Sequence, residues 1–301
     1  MTGLTSTEPQ YSGSSDLKTP LTTTQKPQFD LEDFYCILQI QPNDSFMALE
    51  LSKRLQKLGR IEETAKILRS VLKIDYRFST LSALGLVEYQ LENFDAALDH
   101  LHAALAISQD SSDEFFEIFK TLGNIYTRKG DFEAAEENYN KAHRLHSESD
   151  VLFVNFGALY MQRQRWEDAL IKYRRALEIN SRNDKAWVGL ALSHRMKGDV
   201  ELAWGNIEAA LEYNPLNEVA LGLALDWSTQ QGREFRALEL MRRFLIQGGW
   251  SERFSLAFSW LAWRRGETNV AMLELERLTA VNPMSTKAIA LLNEIRRCGH
   301  A

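Results

Sequence analysis

Cysteine, positive charge and long apolar runs are all scarce in this chain, and each scarcity excludes a class of protein. Two cysteines occur in 301 residues, Cys36 and Cys298, near opposite ends. A disulfide framework is therefore not expected, and so low a count suits a reducing, cytoplasmic compartment. Formal net charge is −6, whereas proteins dedicated to nucleic acid carry positive charge to displace counterions from phosphate; no nucleic-acid partner is expected. No apolar run approaches a membrane span, so no membrane insertion is expected. The first residues lack the basic-then-apolar order of a signal peptide. Alternating β-branched runs and hairpin dipeptides are missing, which leaves helix as the structural vocabulary.

Catalytic signatures are missing as well. There is no phosphate-cradling glycine loop, no nucleophile elbow and no paired-histidine zinc motif with a glutamate. His143 and His146 are three apart, but no Cys or acidic third ligand accompanies them. They suit a helix C-terminus, where positive charge is favoured. His100 and His102 are two apart and point different ways on a helix. Neither an enzyme, a metal site nor a cofactor is expected.

What the chain does have is 45% hydrophobic and 25% charged residues, enough to bury a large core. Residues 1–28 are rich in Ser, Thr, Pro and Gly. They cannot bury enough surface to offset backbone entropy, and we expect a disordered tail. From Phe29 onward one sentence recurs: "NFDAALDHLHAALAIS" from Asn93, "DFEAAEENYNKAHRLH" from Asp131 and "RWEDALIKYRRALEIN" from Arg165. Aligning the units on a small residue in their first halves gives Ser52, Gly85, Gly123, Gly157, Ala191, Leu225 and Ser259, spaced 33, 38, 34, 34, 34 and 34 residues apart. A fixed period of this size is the mark of a solenoid.

In the fourth unit Phe153, Phe156 and Tyr160 share one helical face; Trp166, Ala169, Leu170, Tyr173, Ala176 and Leu177 share another. Two amphipathic helices joined by a short turn account for each unit. Gly59, Gly130, Gly198, Gly232 and Gly266 recur just past the first helix, where a left-handed residue ends it. Acidic residues then open the second helix, matched to its positive end. Ala97, Ala135, Ala169, Ala203, Ala237 and Ala271 recur where paired helices must approach closely.

The pattern resembles the tetratricopeptide repeat (TPR) family, most clearly in "DKAWVGLALSHRMKGDVELAWGNIEAALEYNP" and "FKTLGNIYTRKGDFEAAEENYNKA". The resemblance covers about seven repeats over residues 45–285. It implies an all-α, right-handed solenoid of helical hairpins. The first, sixth and seventh copies depart from the pattern: Thr64 replaces the small Ala, Leu225 the Gly and Ser255 the Trp. Residues 29–44, ending around Pro42, read as an N-terminal half-repeat, and 286–301 as a region with a capping helix.

The resemblance also implies a concave groove lined by the first helices, with positions 2, 5, 6, 9, 12 and 13 of each repeat facing into it. Those positions hold the cations Lys53, Lys57, Lys120, Arg128, Lys185, Arg195, Arg253 and Arg264 and the anions Glu50, Glu117 and Asp226. Lys57, Arg128 and Arg264 also suit the last turn of a helix as dipole partners, and without them the excess of cations narrows but keeps its sign. An acidic protein or peptide segment is the expected partner. Some family members grip a terminal carboxylate with Lys, Asn and Arg from three successive repeats. Lys120, Asn124, Asn155 and Lys185 stand at four clamp positions, while Gly189 stands where the last Arg would be.

The seventh repeat carries a second apolar stripe, Leu256, Trp260 and Trp263, which either packs between neighbouring helices or anchors a partner. The expected function is a non-catalytic scaffold or adaptor binding a peptide segment. Two alternatives stand beside it: a self-associating structural subunit, hence a homo-oligomer, and a secretion-type chaperone, which would bring an apolar groove.

Overall fold

The structure is a computed structural model that describes residues 31–40, 44–108 and 113–298. The Ser/Thr/Pro-rich tail 1–28 and Pro42 lie outside the described residues. The described chain is helical throughout, without a strand, and divides after Asp75 into two compact units.

In the first unit α1 (Leu31–Ile40) precedes a hairpin of α2 (Ser45–Lys57) and α3 (Ile61–Leu72). Asp44 caps α2 by accepting the Met47 N–H at 3.0 Å. Phe34, Leu51 and Leu55 form a small core, with the Arg54 guanidinium 4.7 Å above the Phe34 ring. Tyr35 donates to Glu63, which ties α1 to α3. Thr64, where the repeat calls for Ala, is fully buried and donates its hydroxyl to the Arg60 carbonyl at 2.8 Å.

The second unit is an α-solenoid of six hairpins and a final helix. The hairpins are α4 (Phe78–Gln90) with α5 (Phe94–Ile107), α6 (Asp113–Lys129) with α7 (Phe132–Leu145), and α8 (Asp150–Gln162) with α9 (Trp166–Ile179). After them come α10 (Asp184–Lys197) with α11 (Val200–Tyr213), α12 (Glu218–Gln231) with α13 (Glu234–Ile246), and α14 (Glu252–Arg264) with α15 (Thr268–Val281). The final helix, α16 (Thr286–Cys298), packs on α15 and α14.

The recurrent alanines on the second helices, Ala97, Ala135, Ala169, Ala203, Ala237 and Ala271, are completely buried. On the first helices α4, α6 and α8 the aligned small residue is glycine, packed against Leu101, Tyr139 and Tyr173 of the second helices. An added Cβ on Gly157 would lie 2.5 Å from the Tyr173 ring, and one on Gly189 2.2 Å from the same ring. Tyr173 of α9 is thus wedged between α8 and α10, which is possible only because both neighbours lack a side chain there. Leu225 occupies the equivalent place in α12, and α12 and α13 approach less closely than the paired helices of the four preceding hairpins.

Turns between paired helices keep one backbone form. The predicted glycines are left-handed, and Glu92 (φ 61°) and Gln164 (φ 58°) adopt the same form where glycine is missing.

Candidate peptide-binding face

The groove positions of the second unit lie on the first helices α4, α6, α8, α10, α12 and α14. The capping that sets their register is itself periodic. Asn183 caps α10 by accepting the Ala186 N–H, and Asn217 caps α12 by accepting the Ala220 N–H, both at 2.9 Å. The same asparagines donate backward to the first residue of the preceding first helix. Asp150 Oδ2 accepts from Asn180 at 2.7 Å and Asn183 at 2.9 Å; Asp184 Oδ2 accepts from Asn214 at 2.6 Å and Asn217 at 2.8 Å. Glu252 repeats the arrangement with Asn282 at 3.2 Å and Ser285 at 2.6 Å. Each junction built this way fixes one first helix against the next.

A second ladder runs along the turn edge. Lys129 pairs with Asp95 at 2.6 Å, Arg163 with Glu133 at 3.3 Å and Glu136 at 2.9 Å, and Lys197 with Glu167 at 3.3 Å. Arg233 pairs with Glu201. At the next junction Phe235 stands where the acid would be, and the Arg265 guanidinium lies 5.6 Å from its ring. Tyr160 donates to Glu136 at 2.7 Å, and burial together with that carboxylate pushes its phenol up to about 12.

Against this frame the predicted site residues fall into distinct environments. Lys120 is folded down with 18% of its side chain exposed, 2.7 Å from Glu117 and over the Phe116 ring at 5.2 Å. Asn124 accepts the Tyr139 hydroxyl at 2.8 Å, so its amide serves the hairpin interior. Asn155 is half-buried on α8, and Lys185 is exposed on α10. Gly189, at the clamp's missing arginine, lies against Tyr173; the ring occupies the space a side chain would need.

Arg128 reaches back to Glu92 at 2.7 Å, which raises its pKa, and lies over Phe94 at 5.3 Å. Arg195 donates to Gln230 and stacks over Trp227 at 5.4 Å. Trp260 is 42% exposed with the Arg264 guanidinium 4.7 Å above it. Trp263 is half-buried and packs on the core.

The three groove anions pair with groove cations: Lys53 with Glu50 at 2.7 Å, Lys120 with Glu117 at 2.7 Å, and Arg253 with Asp226 at 2.6 Å. In the second unit, Lys185, Arg195 and Arg264 are the groove cations without a carboxylate partner among the described residues. Around them lie apolar side chains that a reading of charges alone passes over: Val151 (48% exposed), Met196 (56%) and Val219 (65%). A depression of about 420 Å³ opens between α12 and α14, lined by Val219, Gly222, Leu223, Asp226 and Arg253.

His143 and His146 serve packing. His143 meets the Phe153 ring edge-on at 5.4 Å, and His146 meets Phe116 at 4.7 Å. Among the described residues no group of three His, Cys, Asp or Glu could hold a metal ion, and no helix is long and apolar enough to cross a membrane.

Family models described as tetratricopeptide repeat match residues 76–148 and 154–212. No curated protein matches the chain. Among solved structures, a tetratricopeptide repeat protein from Parabacteroides merdae is 17% identical with a TM-score of 0.53, covering 83% of this chain and 97% of that one. The pilF protein of Pseudomonas aeruginosa is 20% identical with a TM-score of 0.51, covering 72% of this chain and 97% of that one. The Cut9–Hcn1 assembly of the APC/C is 12% identical with a TM-score of 0.52, covering 88% of this chain and 46% of that one. At these identities the likeness is one of fold. Repeat period, hairpin geometry and family models agree: the chain belongs to the tetratricopeptide repeat family.

Proposed function

We propose that the protein is a non-catalytic scaffold that holds a peptide segment of a partner protein along the first-helix face of its second unit. The observation that carries this reading is the composition of that face. Exposed Val151, Met196, Val219 and Trp260 lie among Lys185, Arg195 and Arg264, three cations that no carboxylate among the described residues neutralises. Apolar surface supplies the driving force for association, and uncompensated cations select a segment bearing carboxylates. The face therefore combines the basic groove with the apolar groove of a chaperone. A cytoplasmic setting agrees with the two exposed, unbridged cysteines.

The test is a binding screen of an acidic peptide library against the full chain, with the double variant Met196→Glu/Val219→Asp, both exposed on this face, as comparison. Loss of at least about tenfold in affinity is expected, since each buried apolar contact is worth about 1.5–3 kcal/mol. Equal binding by the variant would remove this face from the function.

Self-association is a second reading, favoured by Met284 (85% exposed), Val281 (59%) and Ile289 (41%) near the C-terminal end. Sedimentation of the full chain and of Met284→Asp/Ile289→Asp distinguishes it: a dimer that dissociates in the variant supports it, and a monomer at all concentrations overturns it.

A further inference from the structure

The stripe of side chains along α10 has a defined length and a defined order. Lys185, Val188, Leu192 and Arg195 follow at intervals of three, four and three residues, so they share one face of the helix. The two cations stand at its ends and the two apolar residues between them. Val188 is buried and Leu192 half-buried, forming a floor that continues into the core of the unit. Half-buried Met161 on α8 and Leu223 on α12 occupy the corresponding face of the neighbouring first helices.

The ends differ in kind. Lys185 is exposed to solvent, and its backbone N–H donates to Asp184 at 3.0 Å. Arg195 is held in place before any ligand arrives, stacked on Trp227 and donating through Nη2 to the neutral Gln230 amide. A guanidinium has five N–H donors, so donors remain for a carboxylate. Asp184 is engaged from the other side by Asn214 and Asn217. Asp226 is paired with Arg253.

We propose that α10 is a ruler for an extended peptide that carries two acidic residues four or five positions apart with an apolar residue between them. Ten residues of α-helix separate the cations, a rise of about 15 Å at 1.5 Å per residue. An extended chain covers that distance in four to five residues at about 3.3 Å each. One acid meets the fixed guanidinium, the other meets the exposed ammonium, and the apolar side chain covers Leu192. A helical segment with the same spacing would advance only about 6–7.5 Å and could not bridge both cations. This inference rests on the peptide-scaffold reading and adds the class of segment.

The experiment is fluorescence anisotropy at low and physiological salt. Labelled peptides carry two aspartates separated by two, four, five or eight positions around a central leucine, with a leucine-to-serine control. They are titrated against the full chain and against Lys185→Ala, Arg195→Ala, Leu192→Glu and, away from the stripe, Lys141→Ala. Each protein is first checked for an unchanged Tm. Tightest binding at separations of four and five is expected. It should weaken about tenfold in Lys185→Ala and Arg195→Ala, by at least that in Leu192→Glu, and not at all in Lys141→Ala.

Raising salt should narrow the gap between wild type and Lys185→Ala, because the exposed ammonium is screened. Equal affinity at all separations, with Leu192→Glu still weakening binding, overturns the ruler and leaves the scaffold reading standing. Binding unaffected by every α10 variant overturns both, and absence of binding by all the peptides overturns the ruler.

Discussion

Tyr173 is held on α9 between two residues that have no side chain, Gly157 and Gly189, and its burial depends on both. Gly189→Ala would place a methyl carbon 2.2 Å from the ring, closer than any stable contact. We expect it to destabilise the protein by about 1–3 kcal/mol in urea melts, as overpacking does. The same crowding explains why a carboxylate clamp cannot be completed at this position with arginine. Gln164 illustrates the opposite case, because its φ of 58° places a side-chain-bearing residue in a conformation that suits glycine. Gln164→Gly should raise stability by about 0.5–1 kcal/mol, read as a higher urea midpoint with unchanged slope, since left-handed backbone costs an L-residue about 1–2 kcal/mol and glycine entropy offsets part of the gain. Glycine recurrence made the turn visible in the sequence. The left-handed turn at Gln164 was not, since nothing in that residue's identity announces positive φ.

At the scale of the helix, close approach within each hairpin rests on small residues, and the ladders rest on polar ones. Ala169→Leu adds methylenes at a completely buried site between α8 and α9 and should cost about 1–3 kcal/mol by thermal or chemical denaturation. The Asp150 ladder predicts a pH dependence. Burial opposes ionisation of Asp150, but donors from Asn183, Asn180 and the adjacent backbone outweigh it and hold its pKa below the ordinary aspartate value. A carboxylate with a depressed native pKa contributes stability above its unfolded value, about 3.9, and loses that contribution as pH falls through the native one. Asp150→Ala should therefore be less stable than wild type at neutral pH, with the deficit shrinking as pH drops below about 4. A deficit that stays constant with pH would show that the carboxylate charge is not what the asparagines recognise. The ladder has a sequence signal in "INSRND" and "YNPLNE", where Asn recurs three residues apart before an acid. It becomes recognisable only when the reader knows that the acid one repeat earlier lies beside it.

Over the whole second unit, stability is a sum of hairpins and their nearest-neighbour interfaces, so a terminal helix matters through what it covers. Ala288, Leu292 and Ile295 of α16 are buried against the preceding hairpin. Deleting residues 286–298 should lower stability by about 3–6 kcal/mol at the usual worth of two large buried side chains, and expose the apolar faces of α14 and α15. Differential scanning calorimetry and light scattering would record the lower Tm and any aggregation. An unchanged Tm would show that α16 adds nothing to the seventh hairpin.

The sequence by itself determined the class of fold, because helical periodicity, a repeat of 34 residues and small residues at fixed offsets are local properties that survive without coordinates. Together with the family resemblance, its register also marked the first-helix face that we propose for binding. Tertiary structure decided what those residues are free to do. Lys120 and Asn124 look available in the sequence, yet one lies against Glu117 and Phe116 and the other serves Tyr139; Lys185 and Arg195 look no different from them and have no carboxylate partner among the described residues. The physical reason is that a side chain's free charge depends on which residues its neighbours across the repeat present to it. That pairing is a matter of distances between helices, which no spacing along one chain records.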